Sequence, residues 1–469
     1  MGLGRVVASV GRSARTICCV ALACLLWLPA APPGWAQDRL TVALYPYVPR
    51  LAQFESAIRD AWAAKHPDVA LTFADDWDGG YSDNPNDAYD VFVFDAMYFH
   101  YFRTQGYLDA LAPDEIDDLD DLVAYARQGL EVDGSYYAVP LLGCGNMLFY
   151  HENNVALAAA ETLGAVKAAL GTCTYTSQVP PGPMGLTVDM AGGTTNATLY
   201  LDALHSDSGT YPPPLTPELD DEAIGDMRDM IRMASFYNAT AEFPGAYDRQ
   251  VEFSDGYGEA TVGFTESLSQ MSAETRATIA FKPLPISDQT GNPPLFYADV
   301  IAVNTKAEAR GTRALAVDLV NVMAATDTVV AATGPAEPGG TPQYLMVNRT
   351  SAFEALAAID PLYTPLHKLI TDYDPLLFSL GADARTWVAD NKAPIRAAVR
   401  ANYACGCDYP SGQPIADNDD AQDICPGVCA DHGAWTGQWT NQPPAAEGGS
   451  VCGCTVCPVA QAAQATGAR

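Results

Sequence analysis

The alternation of strand and helix signals from Arg39 onward is the feature that most constrains the fold of this chain. Apolar and β-branched residues at Leu40–Leu44 predict a strand, and the apolar residues within Leu51–Trp62 then recur at helical spacing. Val69–Phe73 and Asp90–Asp95 predict two more strands, the second apolar enough to be buried in a sheet. Such alternation predicts an α/β architecture with mainly parallel sheets.

The later part of the chain continues this pattern as far as about residue 400. Thr216-Pro217-Glu218 has the order of a helix start, and the apolar residues within Ile224–Met233 predict the buried face of that helix. Strands are predicted at Ala260–Phe264 and Val300–Val303. Beyond residue 401 the composition shifts to Cys, Gly, Pro, Asn and Asp, so we predict three segments, 1–36, 37–400 and 401–469.

Residues 1–36 have the pattern of a secretory signal peptide. Three arginines precede the apolar run Ile17–Ala31, and Gly34-Trp35-Ala36 places small residues where a signal peptidase reads. The run is too short for a lasting membrane span, and no later stretch has spanning length. We therefore expect cleavage after Ala36 and a secreted or periplasmic mature protein.

The predicted mature chain is strongly acidic. Residues 1–36 contain three arginines and no acid, so the other 433 residues carry 57 acidic and 22 basic side chains, a net charge near −35. This charge argues against nucleic acid or an anionic membrane as a partner, and it weakly favours cationic ligands. The alternative is that the acidity only keeps an exported protein soluble.

Cysteine usage divides the mature chain. Cys144 and Cys173 lie in the long body, whereas seven cysteines crowd residues 405–457. In an exported protein such a cluster predicts disulfides, and the spacing offers no facing C-x-x-C pairs for zinc. Because nine mature cysteines are an odd number, at least one thiol stays free or pairs with another molecule, and Cys144 is the candidate.

A few side chains are candidates for chemistry, although metalloprotease, P-loop, nucleophile-elbow and dinucleotide-binding motifs are missing. Cys144 lies between two glycines, which indicates little side-chain cover, yet a lone cysteine is more often a small core residue. Glu266 follows the predicted strand Ala260–Phe264, where a carboxylate can enter a cleft or instead cap a helix. Asp95 and Asp299 are predicted at strand ends in the same way.

Tyrosines accompany these carboxylates in predicted loops and strand ends: Tyr45, Tyr47, Tyr81, Tyr247 and Tyr297. Aspartates and aromatic faces together suit a flat, cationic, nitrogen-rich ligand, through charge-assisted hydrogen bonds and cation–π contact.

The body from about Leu40 to Val388 resembles bacterial thiaminase I, also called thiamine pyridinylase, along nearly its whole length. The resemblance is carried by eight segments in order: Val42–Pro49, Asp90–Asp95, Cys144–Tyr150, Met190–Thr195, Gly263–Ser267, Leu295–Val300, Pro342–Leu345 and Arg385–Trp387.

This resemblance implies a two-lobed fold of the type II periplasmic-binding-protein kind, with a cleft between the lobes. It implies that Cys144 attacks C6 of the thiamine pyrimidine, that the thiazole leaves from the methylene carbon, and that an external amine or thiol adds there. Glu266 is implied as the base that deprotonates the thiol, and Asp95 and Asp299 as hydrogen-bond partners of the aminopyrimidine. The implied walls of the substrate site are Tyr45, Tyr47, Tyr81, Tyr247, Phe264 and Tyr297. No cofactor or metal is implied, and we expect a monomer.

The tail, residues 401–469, resembles one repeat of the mannan-binding lectin family. The resemblance is carried by Asn418–Gln422, Cys425–Cys429, Trp435–Trp439 and Ser450–Cys454. It implies a small disulfide-supported module for mannose-containing glycans, with these candidate carbohydrate-binding residues: Asn418, Asp419, Trp435, Gln438 and Trp439. The alternative is a cysteine-stapled appendage without a ligand.

Two departures and one rival function remain open. Phe264 stands where the thiaminase I pattern suggests Tyr. Cys173 is an extra thiol that could pair with Cys144 and silence the oxidised enzyme; the alternative, which we favour, is an incidental buried or tail-paired cysteine. The rival is a non-catalytic solute-binding protein for thiamine or a similar cationic nutrient, which would share the fold. The joint presence of Cys144 and Glu266 favours the enzyme, because a pure binding protein has no need of both.

Overall fold

A computed structural model gives the fold and describes residues 39–172, 185–234, 239, 246–401, 407–441 and 449–454. The predicted signal peptide and Cys173 lie outside these ranges. The described strands are β1 (Arg39–Ala43), β2 (Ala70–Ala74), β3 (Val91–Asp95), β4 (Glu131–Val132), β5 (Ser135–Tyr136), β6 (Val139–Gly145), β7 (Met147–His151), β8 (Leu186–Thr187), β9 (Ala260–Gly263), β10 (Ile279–Pro283), β11 (Leu295–Val303), β12 (Met346–Val347), β13 (Leu376–Leu377), β14 (Cys407–Pro410), β15 (Trp435–Thr440) and β16 (Val451–Cys454). The described α-helices are α1 (Leu51–Lys65), α2 (Phe99–Thr104), α3 (Ala124–Leu130), α4 (Val155–Ala159), α5 (Leu163–Leu170), α6 (Gly193–Ser208), α7 (Asp221–Met233), α8 (Asp248–Ser254), α9 (Ala273–Arg276), α10 (Lys306–Arg310), α11 (Arg313–Ala324), α12 (Thr326–Thr333), α13 (Thr350–Ala357), α14 (Tyr363–Tyr373), α15 (Ala384–Arg400) and α16 (Asn418–Cys429).

Two β-sheets form the centres of two lobes. The first has the strand order β12-β6-β11-β3-β1-β2, with β13 beside β11, and the second has the order β10-β7-β9-β8. The chain passes from the first sheet to the second between β6 and β7, where a single residue, Asn146, joins them. It returns to the first sheet between β10 and β11. The predicted two-lobed α/β architecture is confirmed.

The prediction of mainly parallel sheets is wrong. β1 is parallel to β2 and β3, but β11 runs antiparallel to both β3 and β6. In the second sheet β7 is antiparallel to β9 and β10. The prediction assumed a helical crossover within one sheet for each pair of strands. Here β11 enters the first sheet from the other lobe, so no such crossover sets its direction.

The position of Asp299 also differs from the prediction. Asp299 lies inside β11, a nine-residue strand, and not at a strand end. The pairing of β11 with β6 shifts register between Asp299 and Val300, so a bulge interrupts the ladder at this carboxylate.

Hydrophobic periodicity predicted several elements correctly. The helical spacing in α1 buries Phe54, Ile58 and Trp62, and all five residues of β3 are buried at the centre of the first sheet. The start of α7 was predicted wrongly at Thr216. Asp220 is the capping residue instead, because its carboxylate accepts hydrogen bonds from the backbone amides of Glu222 and Ala223.

The tail has a small core of its own. β14, β16 and β15 form a three-stranded sheet, and α16 packs on it. Disulfides join Cys425 to Cys452 and Cys429 to Cys454, as predicted for the tail cysteines. The two pairs lie one turn apart on α16 and two residues apart on β16, so the helix is fixed along the strand.

No single helix of the described ranges is long and apolar enough to cross a membrane. α11 and α12 pass that test only when taken together as a pair bent by 57°.

Candidate active site

Cys144 occupies the end of β6, at the edge of the first sheet that faces the cleft. Its thiol is free and partly accessible. The flanking glycines are buried, and a Cβ at Gly143 would lie 2.5 Å from the Tyr125 hydroxyl oxygen and 2.9 Å from the Tyr297 carbonyl oxygen. A Cβ at Gly145 would meet Phe296 and Met147 below 3.0 Å. The glycines are therefore needed for close packing around Cys144, whereas the sequence suggested that they expose it.

A cavity of about 850 Å³ opens beside Cys144. All ten residues predicted for catalysis and substrate binding line it: Tyr45, Tyr47, Tyr81, Asp95, Cys144, Tyr247, Phe264, Glu266, Tyr297 and Asp299. They lie in β3, β6 and β11, in the segments that follow β1, β2 and β9, and, for Tyr247, directly before α8. The fold therefore brings together side chains that are up to 254 residues apart in the sequence.

Glu266 lies in the 3-10 helix Thr265–Gln270 that follows β9, and its side chain is buried. Burial raises the pKa of Glu266 to about 7. The Tyr247 hydroxyl and the Thr265 hydroxyl each lie 3.5 Å from a carboxylate oxygen of Glu266, so these hydrogen bonds oppose the shift only weakly. Burial, followed by the charges of Glu266, Asp299 and Asp95, raises the pKa of the Cys144 thiol well above its usual value. A thiol in this setting needs a nearby base to become a thiolate.

Asp95 and Asp299 are direct neighbours across the β3–β11 pair. Asp95 accepts hydrogen bonds from the Tyr81 hydroxyl and the Met97 amide, both at 2.9 Å. Burial raises the pKa of Asp95 to about 6, and burial with the charges of Asp95 and Glu266 raises the pKa of Asp299 well above its usual value. Each of these two adjacent carboxyls therefore retains a proton more readily than an exposed aspartate does.

Aromatic rings enclose the rest of the cavity. The Tyr45 and Tyr81 hydroxyl oxygens are 3.0 Å apart, and the Tyr47 ring lies edge-on to both at 5.4 and 5.7 Å. Tyr47 is 59% exposed, which places it at the mouth of the cavity. Deeper inside, the Tyr297 ring stacks on Phe378 at 4.6 Å and meets the edge of Phe264 at 5.9 Å. The cavity thus presents flat apolar walls around the carboxyl groups of Asp95, Glu266 and Asp299.

Several lining residues were not selected from the sequence, among them Tyr98, Asn146, Gln250 and Ser267. Asn146 and Ser267 fall within matched segments, but neither carries a type of chemistry that a sequence pattern singles out. The signal that could have identified Asn146 is its position two residues after Cys144, within the matched segment Cys144–Tyr150.

In the tail, the Trp439 indole nitrogen donates to the Asn418 side-chain oxygen at 3.0 Å, so two of the predicted carbohydrate-binding residues are in contact. Asp419 is exposed, whereas Trp435 is buried among the disulfides of the tail core. The side chain of Gln438 lies outside the described part of the structure. Across the ranges described, no group of three or more His, Cys, Asp or Glu could hold a metal ion.

The fold and the site first define the class of protein to which the chain is similar. The chain superposes on maltose-bound MalE3 from T. maritima with a TM-score of 0.59 at 15% identity, over 77% of this chain and 94% of that chain. This likeness shows a two-lobed periplasmic-binding-protein fold. In this chain the cleft holds the thiol of Cys144 and the carboxyls of Asp95, Glu266 and Asp299.

The particular family follows from closer relatives. The Thiaminase-1 domain profile matches residues 145–287, and Thiaminase-1 of Paenibacillus thiaminolyticus is 38% identical over 362 residues, 75% of this chain and 86% of that protein. The Clostridium botulinum thiaminase I structure in complex with thiamin matches with a TM-score of 0.73 at 32% identity, over 77% of this chain and 100% of that chain. The chain belongs to the thiaminase I family of enzymes. The Mannan-binding protein profile matches residues 418–454 of the tail.

Proposed function

We propose that this protein is a secreted thiaminase I that replaces the thiazole of thiamine by an external amine or thiol. The observation that carries the proposal is the convergence of Cys144, Glu266, Asp95 and Asp299 in one cavity of a chain that belongs to this family. The solute-binding alternative leaves the free thiol and the neighbouring base without a purpose.

The reaction begins with transfer of the Cys144 proton to Glu266. A base with a pKa of about 7 is poised for this transfer near neutral pH. The sulfur forms a bond to C6 of the pyrimidine, and ring electrons then break the bond between the methylene carbon and the thiazolium nitrogen. The thiazole leaves as a neutral molecule with that electron pair. An amine or thiol adds to the methylene carbon and loses a proton, and the Cys144 thiolate is expelled from C6.

Asp95 and Asp299 hold the aminopyrimidine in this scheme. Because the pKa of Asp299 is raised well above its usual value by burial and by its carboxyl neighbours, it retains a proton more readily than an exposed aspartate. A protonated carboxyl donates to a ring nitrogen, and the ionised partner accepts from the exocyclic amine. The tyrosine walls pack on the flat ring.

The proposal also includes export of the protein and glycan binding by its tail. The signal-like segment and the two tail disulfides support export, since disulfides persist in oxidising compartments. In N-terminal sequencing, protein recovered from the medium is expected to begin at Gln37.

The match to the Mannan-binding protein profile supports glycan binding by the tail, with weak affinity for a single repeat. Retention on immobilised mannan that is lost in Trp439→Ala is the expected result.

The experiment for the central function follows thiamine loss and thiazole release by purified protein with an added amine or thiol. We expect release of the thiazole under non-reducing conditions, and we expect it to depend on the added acceptor. Release seen only after reduction would indicate a Cys144 disulfide, for which Cys173 is the candidate partner. Tight binding of thiamine without release of the thiazole would favour the solute-binding alternative.

A further inference from the structure

Asn146 occupies a particular place in the fold. It is the one residue between β6, which ends beside Cys144, and β7, which begins the second lobe. Its side chain is 8% exposed and lines the active-site cavity. It also lines a second cavity of about 310 Å³, so the amide group lies in the wall between the two spaces.

The orientation of this amide is fixed by its partner. Asn146 Nδ2 donates to Asp202 Oδ2 at 2.9 Å and lies 3.4 Å from the Tyr297 hydroxyl oxygen. An ionised carboxylate only accepts hydrogen bonds, so the amide nitrogen has to face Asp202 and the amide oxygen has to face away from it. Asn146 Oδ1 has no hydrogen-bond partner among the described residues, which leaves it available to a ligand.

Asp202 and a histidine lie together in the protein interior. Asp202 is 7% exposed, and His205 follows one turn later on α6 at 1% exposure. His205 Nδ1 lies 3.0 Å from the Thr210 carbonyl oxygen, and Nε2 lies 3.0 Å from the Pro293 carbonyl oxygen. Burial raises the pKa of Asp202 to about 6, and the hydrogen bond from Asn146 opposes this rise. At neutral pH Asp202 is therefore mainly ionised and accepts from the amide nitrogen.

We propose that Asn146 determines specificity in the active site by accepting a hydrogen bond from an N–H group through Oδ1, and that Asp202 is the positioning residue that fixes this polarity. The inference rests on the proposed function. Two N–H groups take part in that reaction: the exocyclic amine of the aminopyrimidine and the incoming amine acceptor. The experiment separates these two sources.

The test compares two ratios of kcat/KM in wild type and in Asp202→Asn. The first ratio is thiamine over oxythiamine, in which a carbonyl oxygen replaces the exocyclic amine, with a thiol acceptor. The second is aniline over a thiol acceptor, with thiamine as substrate. The amide introduced at position 202 can donate as well as accept, so the Asn146 amide is free to turn. One of the two ratios is expected to fall by about tenfold.

A rescue variant and a control distinguish positioning from general damage. In Asn146→Asp combined with Asp202→Asn, the carboxylate at position 146 only accepts and the amide at position 202 donates to it, so the lost ratio is expected to return to within about threefold of wild type. Ser206→Ala alters the same helix and the same second cavity and should leave both ratios unchanged.

A fall in the thiamine ratio assigns the exocyclic amine, and a fall in the acceptor ratio assigns the incoming amine. The proposal is overturned if both ratios stay unchanged in Asp202→Asn and in Asn146→Ala, the variant that removes the acceptor directly. If wild-type protein releases no thiazole, the proposed function fails. The amide polarity is then tested by the dissociation constants of thiamine and oxythiamine in the same variants.

Discussion

Cys144 lies in a body whose buried core extends from Leu40 to Val399, whereas the tail core of the described residues has seven members, four of them half-cystines. So large an apolar core can stabilise the body by burial, and Cys144 is a free thiol in its cavity. The tail is too small to be held by apolar burial alone and uses disulfides instead. In this chain the cysteine of the large core is free for chemistry, whereas the four cysteines of the small core hold it together.

Charge separates the two regions as well. The body places Asp95, Glu266 and Asp299 around one cavity, with Asp95 and Glu266 buried and Asp299 partly buried, whereas Asp419 and Asp431 of the tail are exposed. Burying carboxyls costs stability and shifts their pKa values, which is characteristic of a functional site. The carboxyls around the cavity therefore destabilise the body, and burial of its large apolar core offsets this cost.

The largest expected effect comes from Cys144→Ser. Turnover of thiamine should fall by roughly 10³-fold or more, because a hydroxyl is a far weaker nucleophile than a thiolate at neutral pH. Thiamine binding, measured by calorimetry, should remain. The matched control is the double change Cys425→Ala and Cys452→Ala in the tail, which should leave turnover within about twofold of wild type. Equal losses in both proteins would remove the distinction between the two kinds of cysteine.

Glu266→Gln comes next, with kcat expected to fall by roughly 10²- to 10⁴-fold. In wild type, kcat/KM should rise as pH increases through about 7, where Glu266 loses its proton, and this rise should disappear in the variant. Steady-state kinetics from pH 5 to 9 checks both. A wild-type profile that is flat across this range would contradict the assignment of the base.

The same change should make the fold more stable at high pH. The folded-state pKa of about 7 exceeds the ordinary value of 4.5, so the stability linked to Glu266 is complete below about pH 4.5 and is lost as pH rises through about 7. Glu266→Gln avoids this loss and should unfold at higher denaturant than wild type at pH 8 but not at pH 4. Asp431→Asn in the exposed part of the tail should show no such difference.

Loss of a tail disulfide is expected to have an intermediate effect that is confined to the tail. Removing the Cys425–Cys452 pair opens a connection across 27 residues and should lower the free energy of unfolding of the tail by about 2–4 kcal/mol. Limited proteolysis should then cut the tail and spare the body. Simultaneous unfolding of the body would show that the two cores are not independent.

The smallest effect is expected from Phe264→Tyr, which adds the hydroxyl that the family pattern suggests. Phe264 lines the cavity beside Tyr297, so a new hydroxyl can reach the ligand. We expect KM for thiamine to change by about two- to tenfold with kcat nearly constant. A large drop in kcat would indicate that the Phe264–Tyr297 contact positions Tyr297.

Local patterns predicted the parts of the molecule that local physics determines. The spacing of Phe54, Ile58 and Trp62 gave α1, and the apolar run to Asp95 gave β3. Strand direction could not be predicted in this way, because the direction of β11 depends on where the chain returns from the second lobe to the first sheet.

The residues of the site also differ in whether a local sequence pattern could identify them. The resemblance to thiaminase I identified Cys144 and Glu266 from short segments, and the fold brings them to one cavity. Asn146 was missed, because the orientation of its amide depends on Asp202, which is 56 residues away and on a helix. A single sequence contains no sign of such a pairing.

The most direct measurement is intact-protein and peptide mass spectrometry of protein incubated with thiamine in the absence of an acceptor. We predict that one aminopyrimidine unit is added to the peptide that contains Cys144, and that an added amine or thiol removes it. Rapid turnover without any adduct on Cys144, or an adduct on a different residue, would contradict it.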